Sequence, residues 1–241
     1  MTEEKPTVVL VHGAFAESAS WNPVIEQLHA HGVRTVAVAN PLRSVTIDAA
    51  YLRDVIAGIG TPVVLVGHSY GGMVISEAAT DNALVGALVF VAAFAPDHGE
   101  SALQLSGQFP GSTLSDAVVA HPVSSGGDEL AIDQGLFHHQ FAADVPSPQA
   151  ALMAATQRPV TIAALSEGLP APMPAWKSLP SWFVFGEEDR NLPKALEHYM
   201  AERAHAHRKI EIPGASHAVS VAHPGTTAGV ILEAAAVPAA A

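Results

Sequence analysis

The sequence predicts an α/β protein: a mainly parallel sheet of about six strands, helices on both faces, and one helical insertion. Three observations predict it. Short apolar runs rich in β-branched residues alternate with segments of helical spacing, as strand–helix–strand units do. One such run passes directly into Gly67-His-Ser-Tyr-Gly-Gly72 and then into a helical segment. A single long stretch, Pro96 to Leu179, breaks the alternation.

In chain order, the expected strands are Thr7–Val11, Arg34–Val38, Val63–Val66, Ala87–Ala92, Trp182–Phe185 and Lys209–Ile212. They are rich in β-branched residues, and runs apolar throughout and bounded by Gly, Pro or His suit strands covered on both faces. Between them, Ser20–His31 places Trp21, Val24, Ile25 and Leu28 at intervals of three and four, the spacing of one helix face. Ile47–Ile59 and Gly72–Thr80 also read as helices. Pro193–Ala204 opens with Pro at an expected first-turn position, and Thr226–Ala236 closes the pattern. The tail beyond Val237 is Ala-rich and expected to fray.

The stretch 96–179 holds Gly- and Ser-rich turns at Gly107, Gly111 and Ser124–Gly127, helical pieces at Asp128–Phe141 and Ser147–Gln157, and a Pro-rich end, Leu169–Pro180. A structureless loop of that length is unusual in a compact domain, so a helical cap is expected there. Residues 1–95 and 180–241 then form the core, and 96–179 the cap.

The composition narrows the function. Of 241 residues, 49% are apolar and 14% charged, enough for a large core and too little charge for a disordered chain. The formal net charge of −12 disfavours nucleic acid and anionic membranes as partners. The chain has no cysteine, which excludes disulfides, a thiol nucleophile and thiolate metal sites. No apolar run reaches the roughly 18 residues of a membrane span. Met1–Pro6 is polar, so a cytoplasmic protein is expected, as a monomer or homodimer. No His-x-x-x-His or Asp/His cluster argues for a metal.

The chemistry concentrates at Gly67-His-Ser69-Tyr-Gly71-Gly72. A strand that turns sharply into a helix leaves room only for minimal neighbours, and it holds the central serine exposed above the end of the sheet. A serine hydroxyl is a weak nucleophile at neutral pH and needs a base, with an acid behind the base. Loops after later strands supply candidates in the order acid, then His. Trp182–Phe185 opens into Gly186-Glu-Glu-Asp189, and Lys209–Ile212 into Pro213-Gly-Ala-Ser-His217. Ser69 is thus the candidate nucleophile and His217 the base; Glu187, Glu188 and Asp189 could each reach it, with the shorter Asp189 favoured. An oxyanion needs two prearranged N–H donors. One is expected from Tyr70, the other from Val11-His-Gly-Ala-Phe15, with Ala14 first and Phe15 second. His12 and His68 are expected to bond to nearby loops, and His138 and His139 to lie on a solvated helix face.

These motifs, in this order and over nearly the whole chain, resemble the α/β-hydrolase superfamily, and more narrowly its compact esterase branch of plant methylesterases, hydroxynitrile lyases and small bacterial esterases. The matching pieces are Val11–Phe15, Gly67–Gly72, Val89-Phe-Val-Ala-Ala-Phe94, Gly186–Asp189 and Gly214-Ala-Ser-His217. The resemblance implies the α/β-hydrolase fold and hydrolysis of a small carboxylic ester without a cofactor. It implies a triad of Ser69, Asp189 and His217, with Ala14 and Tyr70 at the oxyanion positions. The lyases of this branch carry Thr where this chain has Gly13 and Lys where it has Ala218, which favours hydrolysis over lyase chemistry. A receptor that keeps the triad but turns over slowly is the other alternative. Substrate selection is expected from Phe137, Phe141, Leu152, Met153 and Trp176 in the cap, with Phe15 from the first loop.

Overall fold

A computed structural model describes residues 5–124 and 126–237. In chain order, β1 (Thr7–Val11) leads to α1 (Asn22–Ala30), β2 (Thr35–Val38) to α2 (Val45–Ile59), and β3 (Val63–Ser69) to α3 (Gly71–Ala78) and β4 (Val85–Ala93). The stretch that follows carries α4 (Ala102–Ser106), β5 (Val118–Pro122), β6 (Asp128–Ile132), α5 (Gln134–Phe141), α6 (Ser147–Thr156), β7 (Val160–Thr161) and α7 (Ile162–Ser166). The chain then returns with β8 (Ser181–Gly186), α8 (Lys194–Arg203), β9 (Arg208–Ile212), α9 (Val219–Ala222) and α10 (Pro224–Ala235).

Six strands form one sheet in the order β2-β1-β3-β4-β8-β9, and every pairing in it is parallel. The inner strands β1, β3 and β8 are buried along their whole length, which is why they read as unbroken apolar runs. Helices α1, α9 and α10 pack together, with α10 against β3, β4 and β8, while α2 and α3 pair with each other and α3 rests on β1, β3 and β4. Helix limits follow local chemistry. Ser44 caps α2 by accepting the Ile47 N–H at 3.1 Å, and Gly60, at φ 68°, ends it. Pro193 stands just before α8 as its cap, one position earlier than the sequence suggests.

The larger differences from the sequence reading lie in two places. Strand β3 runs on to Ser69 because Gly67, His68 and Ser69 continue to pair with Phe90, Val91 and Ala93. The register slips between His68 and Ser69, and Ala92, passed over by the slip, takes φ 43°. The second difference lies in 96–179, where helices are joined by a small antiparallel sheet, β5-β6-β7. Asp128–Ile132, expected to start a helix, is a strand. It pairs with Val118–Pro122 across a turn in which Gly126 and Gly127 take positive φ. β5 is mostly exposed, but Ile132 and Val160 are buried and Val118 and Leu130 pack against the core from the same face, while His121 meets Glu129 on the other face at 3.4 Å. The Ala-rich tail lies outside the described residues, among which no helix is long and apolar enough to cross a membrane.

Helix α3 lies so close to the end of β4 that a Cβ placed on Gly72 would stand 2.1 Å from the Phe94 carbonyl oxygen. Gly72→Ala should therefore destabilise the protein by more than about 2 kcal/mol in urea unfolding, since backbone must move. Gly229, inside α10, has nothing within 4 Å of the same position. Gly229→Ala should stabilise by up to about 1 kcal/mol. Equal effects at the two sites would contradict the packing described here.

Candidate active site

The turn from β3 into α3 holds Ser69 at φ 54°, a left-handed conformation that costs a non-glycine residue on the order of 1 kcal/mol or more. Surrounding backbone enforces it. A Cβ on Gly13 would lie 2.6 Å from the Ser69 Cβ and 2.7 Å from the His68 oxygen, so the loop after β1 rests directly on the turn. Ser69 keeps 7% of its surface exposed, at the floor of a cavity.

Loops after β8 and β9 meet beside it. Glu187 and Glu188 N–H groups donate to the Ile212 and Ala215 carbonyls at 3.0 and 2.9 Å, stitching the two loops together. Asp189 is buried, and its Oδ2 lies 2.6 Å from His217 Nδ1. Its Oδ1 accepts the N–H groups of Asn191 and Leu192 at 2.7 and 2.9 Å. Three donors thus hold the carboxylate, which fixes the imidazole's orientation. Glu188 is exposed, and Glu187 bonds instead to Lys194 and the Gly214 N–H. His217 Nε2 is buried and has no hydrogen-bond partner among the described residues, Ser69 Oγ included.

The neighbouring histidines are structural in their contacts. His68 Nε2 donates to the His217 carbonyl oxygen at 3.1 Å, and its ring stands 4.7 Å from that of His217. Asn40 N–H donates to His12 Nε2 at 3.1 Å, so the His12 proton sits on Nδ1 and bonds to the Gly13 oxygen at 2.9 Å. That oxygen and the Ala14 N–H belong to one planar peptide, so holding the first aims the second. Among the described residues, the Ala14 and Tyr70 N–H groups meet no protein acceptor. Phe15, at φ 61°, has given its N–H to the Arg158 carbonyl at 3.0 Å, which removes it as an oxyanion donor. His138 bonds to the Val145 oxygen at 2.8 Å and is partly buried, not simply solvated.

A cavity of about 360 Å³ opens over Ser69, lined among others by Ala14, Phe15, Tyr70, Phe94, Leu103 and Leu130. Among the described residues no charged side chain lines it. Of the residues expected to select substrate, only Phe15 lies on this wall. Phe137 and Phe141 are fully buried behind the imidazole: they stack on each other, and Phe141 meets His217 edge-on at 4.8 Å. Leu152 is 69% exposed on the outer surface of α6, and Met153 packs against the core. Trp176 bonds to the Pro96 carbonyl at 2.7 Å and lines a separate groove with Lys177 and Arg203. The walls that sequence reasoning missed come from α4, β5, β6 and the loop after β8. Phe94 alone had a signal, as the residue following β4 on the side where strand ends build sites. Among the described residues no group of three or more His, Cys, Asp or Glu is placed to hold a metal.

Residues 8–230 match the alpha/beta hydrolase family. The chain is 27% identical to an alpha/beta hydrolase, nvfD, of Aspergillus novofumigatus, over 96% of this chain and 97% of that one. It is 24% identical to a putative chloroplastic methylesterase 11 of Arabidopsis thaliana, over 93% of this chain and 63% of the relative. Among solved structures, polyneuridine aldehyde esterase superposes with a TM-score of 0.81 at 21% identity, covering 95% of this chain and 99% of that one.

Burial lowers the His12 pKa to about 4, and it holds the fully enclosed His68 well below the ordinary value, with His217 adding to the effect. An unfolded chain takes up these protons near pH 6.5, whereas the folded chain refuses them until far lower. The histidines' share of the stability is therefore whole above about pH 6.5 and falls as the pH drops towards 4, with His12 alone withdrawing up to about 3 kcal/mol, while burial raises the Glu197 and Asp48 carboxyls and these act in the opposite sense. In urea unfolding the wild type should therefore lose stability relative to His12→Gln between pH 7.5 and pH 5. A difference between the two proteins that is the same at both values would refute a buried neutral His12.

Proposed function

The chain belongs to the alpha/beta hydrolase family, and we propose that it is a serine carboxylesterase that cleaves small uncharged esters through an acyl-enzyme. One observation carries this reading above others: Asp189 grips His217 Nδ1 at 2.6 Å, while Nε2 is left buried and unpartnered among the described residues, on a ring 4.7 Å from that of His68, whose chain neighbour Ser69 is held at φ 54°. A base whose outer nitrogen is dry and free is what a serine nucleophile requires.

In the proposed reaction the Ser69 hydroxyl turns onto Nε2, gives it the proton and attacks the ester carbonyl. The Ala14 and Tyr70 N–H groups receive the developing oxyanion. His217 then protonates the leaving alcohol, and in the second half it draws a proton from water as the water attacks the acyl group. Asp189 keeps the Nδ1–H tautomer and stabilises the imidazolium, and no step uses a cofactor. An uncharged substrate of modest size suits a cavity of about 360 Å³ without charged lining, near the lower end of ordinary ligand pockets. Relatives named methylesterase and polyneuridine aldehyde esterase support ester chemistry. Lyase chemistry fits less well. A threonine at Gly13 has no room for its Cβ against Ser69, and Ala218 is buried and brings no cation to His217.

The test is a panel of neutral and carboxylate-bearing activated esters. Neutral esters should turn over at least about tenfold better in kcat/KM than otherwise matched carboxylate-bearing ones, since an unpaired charge resists burial in this cavity. Ser69→Ala should remove about 10⁴- to 10⁶-fold of kcat with folding intact. Asp189→Asn should cost about 10⁴-fold, against little for Glu188→Gln. Ester turnover that survives in Ser69→Ala would end this reading.

A further inference from the structure

Tyr70, whose N–H is one of the two proposed oxyanion donors, is buried by its whole side chain, and its phenol donates to Asp48 Oδ2 at 3.0 Å. Asp48 lies in the first turn of α2, 22 residues upstream, and is itself fully buried. Its second oxygen, Oδ1, accepts the Arg43 N–H at 3.1 Å. Arg43 in turn is bound to the cap. Its guanidinium pairs with Glu129 of β6, and its carbonyl accepts the Thr161 hydroxyl of β7 at 2.7 Å. Leu42, at φ 61°, accepts the Thr161 N–H at 3.2 Å. Leu130, next to Glu129, lines the cavity.

We propose that Asp48 is a positioning residue for the hydrolysis, anchoring Tyr70 by its phenol so that the Tyr70 amide stays at the oxyanion site, and joining that donor to the cap through Arg43. The inference rests on the esterase reading above. A packed apolar side chain would serve the core without the expense of a buried carboxylate. Burial pushes the Asp48 carboxyl above its ordinary range, against the pull of the Arg43 N–H and the Tyr70 hydroxyl. What the pair adds over an apolar contact is direction: a hydrogen bond fixes where the ring points, and the ring fixes the backbone of the residue that follows Ser69. The donor must stand about 3 Å from the oxyanion, and small displacements there are costly.

The experiment compares wild type with Tyr70→Phe, Asp48→Leu and the double variant. Three readouts are taken: kcat and KM on one neutral activated ester, affinity for a trifluoromethyl ketone, which forms an oxyanion on the enzyme, and affinity for the matching methyl ketone. Removing one oxyanion donor outright costs about 10²–10³ in kcat, so loosening it should cost about tenfold. Tyr70→Phe should lower kcat and trifluoromethyl ketone affinity together by about tenfold, with KM and methyl ketone affinity within about threefold of wild type. Replacing both buried partners by apolar groups can be nearly neutral for stability. The double variant should thus melt close to wild type yet stay about tenfold slow, no slower than either single variant, because both remove one bond. A stable double variant with wild-type kcat would overturn the proposal and leave the esterase reading standing. So would kcat losses unaccompanied by weaker trifluoromethyl ketone binding. Absence of ester turnover in the wild type would instead overturn the esterase reading, and this inference with it.

Discussion

The architecture depends on one backbone contact, the seating of the loop after β1 against the turn between β3 and α3. Gly13 faces Ser69 and His68 at distances that leave no space for a side chain, and Gly72 faces Phe94 in the same way on the far side. Three segments from three strand ends are thereby pressed to a point. The serine between them cannot relax out of φ 54° unless the sheet's own ladder gives way, because β3 is still pairing with β4 at Ser69. The strain is local, and the restraint is distributed over the parallel sheet. This is how a disfavoured conformation is maintained in a stable fold.

Around that point the polar groups are arranged to keep one nitrogen free. Asp189 takes His217 Nδ1, His68 takes the His217 carbonyl, and Phe141 closes the ring's edge. His12 does the corresponding work for the first loop, holding the Gly13 carbonyl with one ring nitrogen while the other accepts from Asn40. Both supporting imidazoles are dry and neutral, which suits a site that has to hold one proton on a particular ring at a particular moment. The cap completes the arrangement from outside. The Arg158 carbonyl takes the Phe15 N–H, and Thr161 and Glu129 hold the loop that leads to Asp48.

How much of this was legible in the sequence follows from the physics of each element. The inner sheet strands were legible because strands buried on both faces must be apolar throughout, and the strand–helix turn because its crowding demands glycine two positions to either side of the serine. Asp189 and His217 were legible as positions, each a few residues past a strand end. The last three residues of β3 were not, because Gly67, His68 and Ser69 look like a loop and pair only through a register slip with β4. The cap sheet was hidden since β5 is mostly exposed and neither β5 nor β6 shows a clean alternation of apolar and polar residues. The cavity walls were hidden for a different reason. Large cap aromatics suggest a pocket, but Phe137 and Phe141 are spent behind His217, and the wall is made by smaller aliphatic residues from elements with no pattern of their own. The Tyr70–Asp48 bond joins residues 22 apart and leaves no trace in spacing.

The decisive question for this site is whether the strained serine is the group that His217 activates. Reaction with a fluorophosphonate, followed by intact mass and peptide mapping, measures this without knowledge of the natural ester. A single phosphonyl adduct on Ser69, formed quickly by the wild type and at least about a hundredfold more slowly by His217→Ala, is what the geometry requires. An adduct on a different residue, or labelling of Ser69 at the same rate without the imidazole, would contradict it.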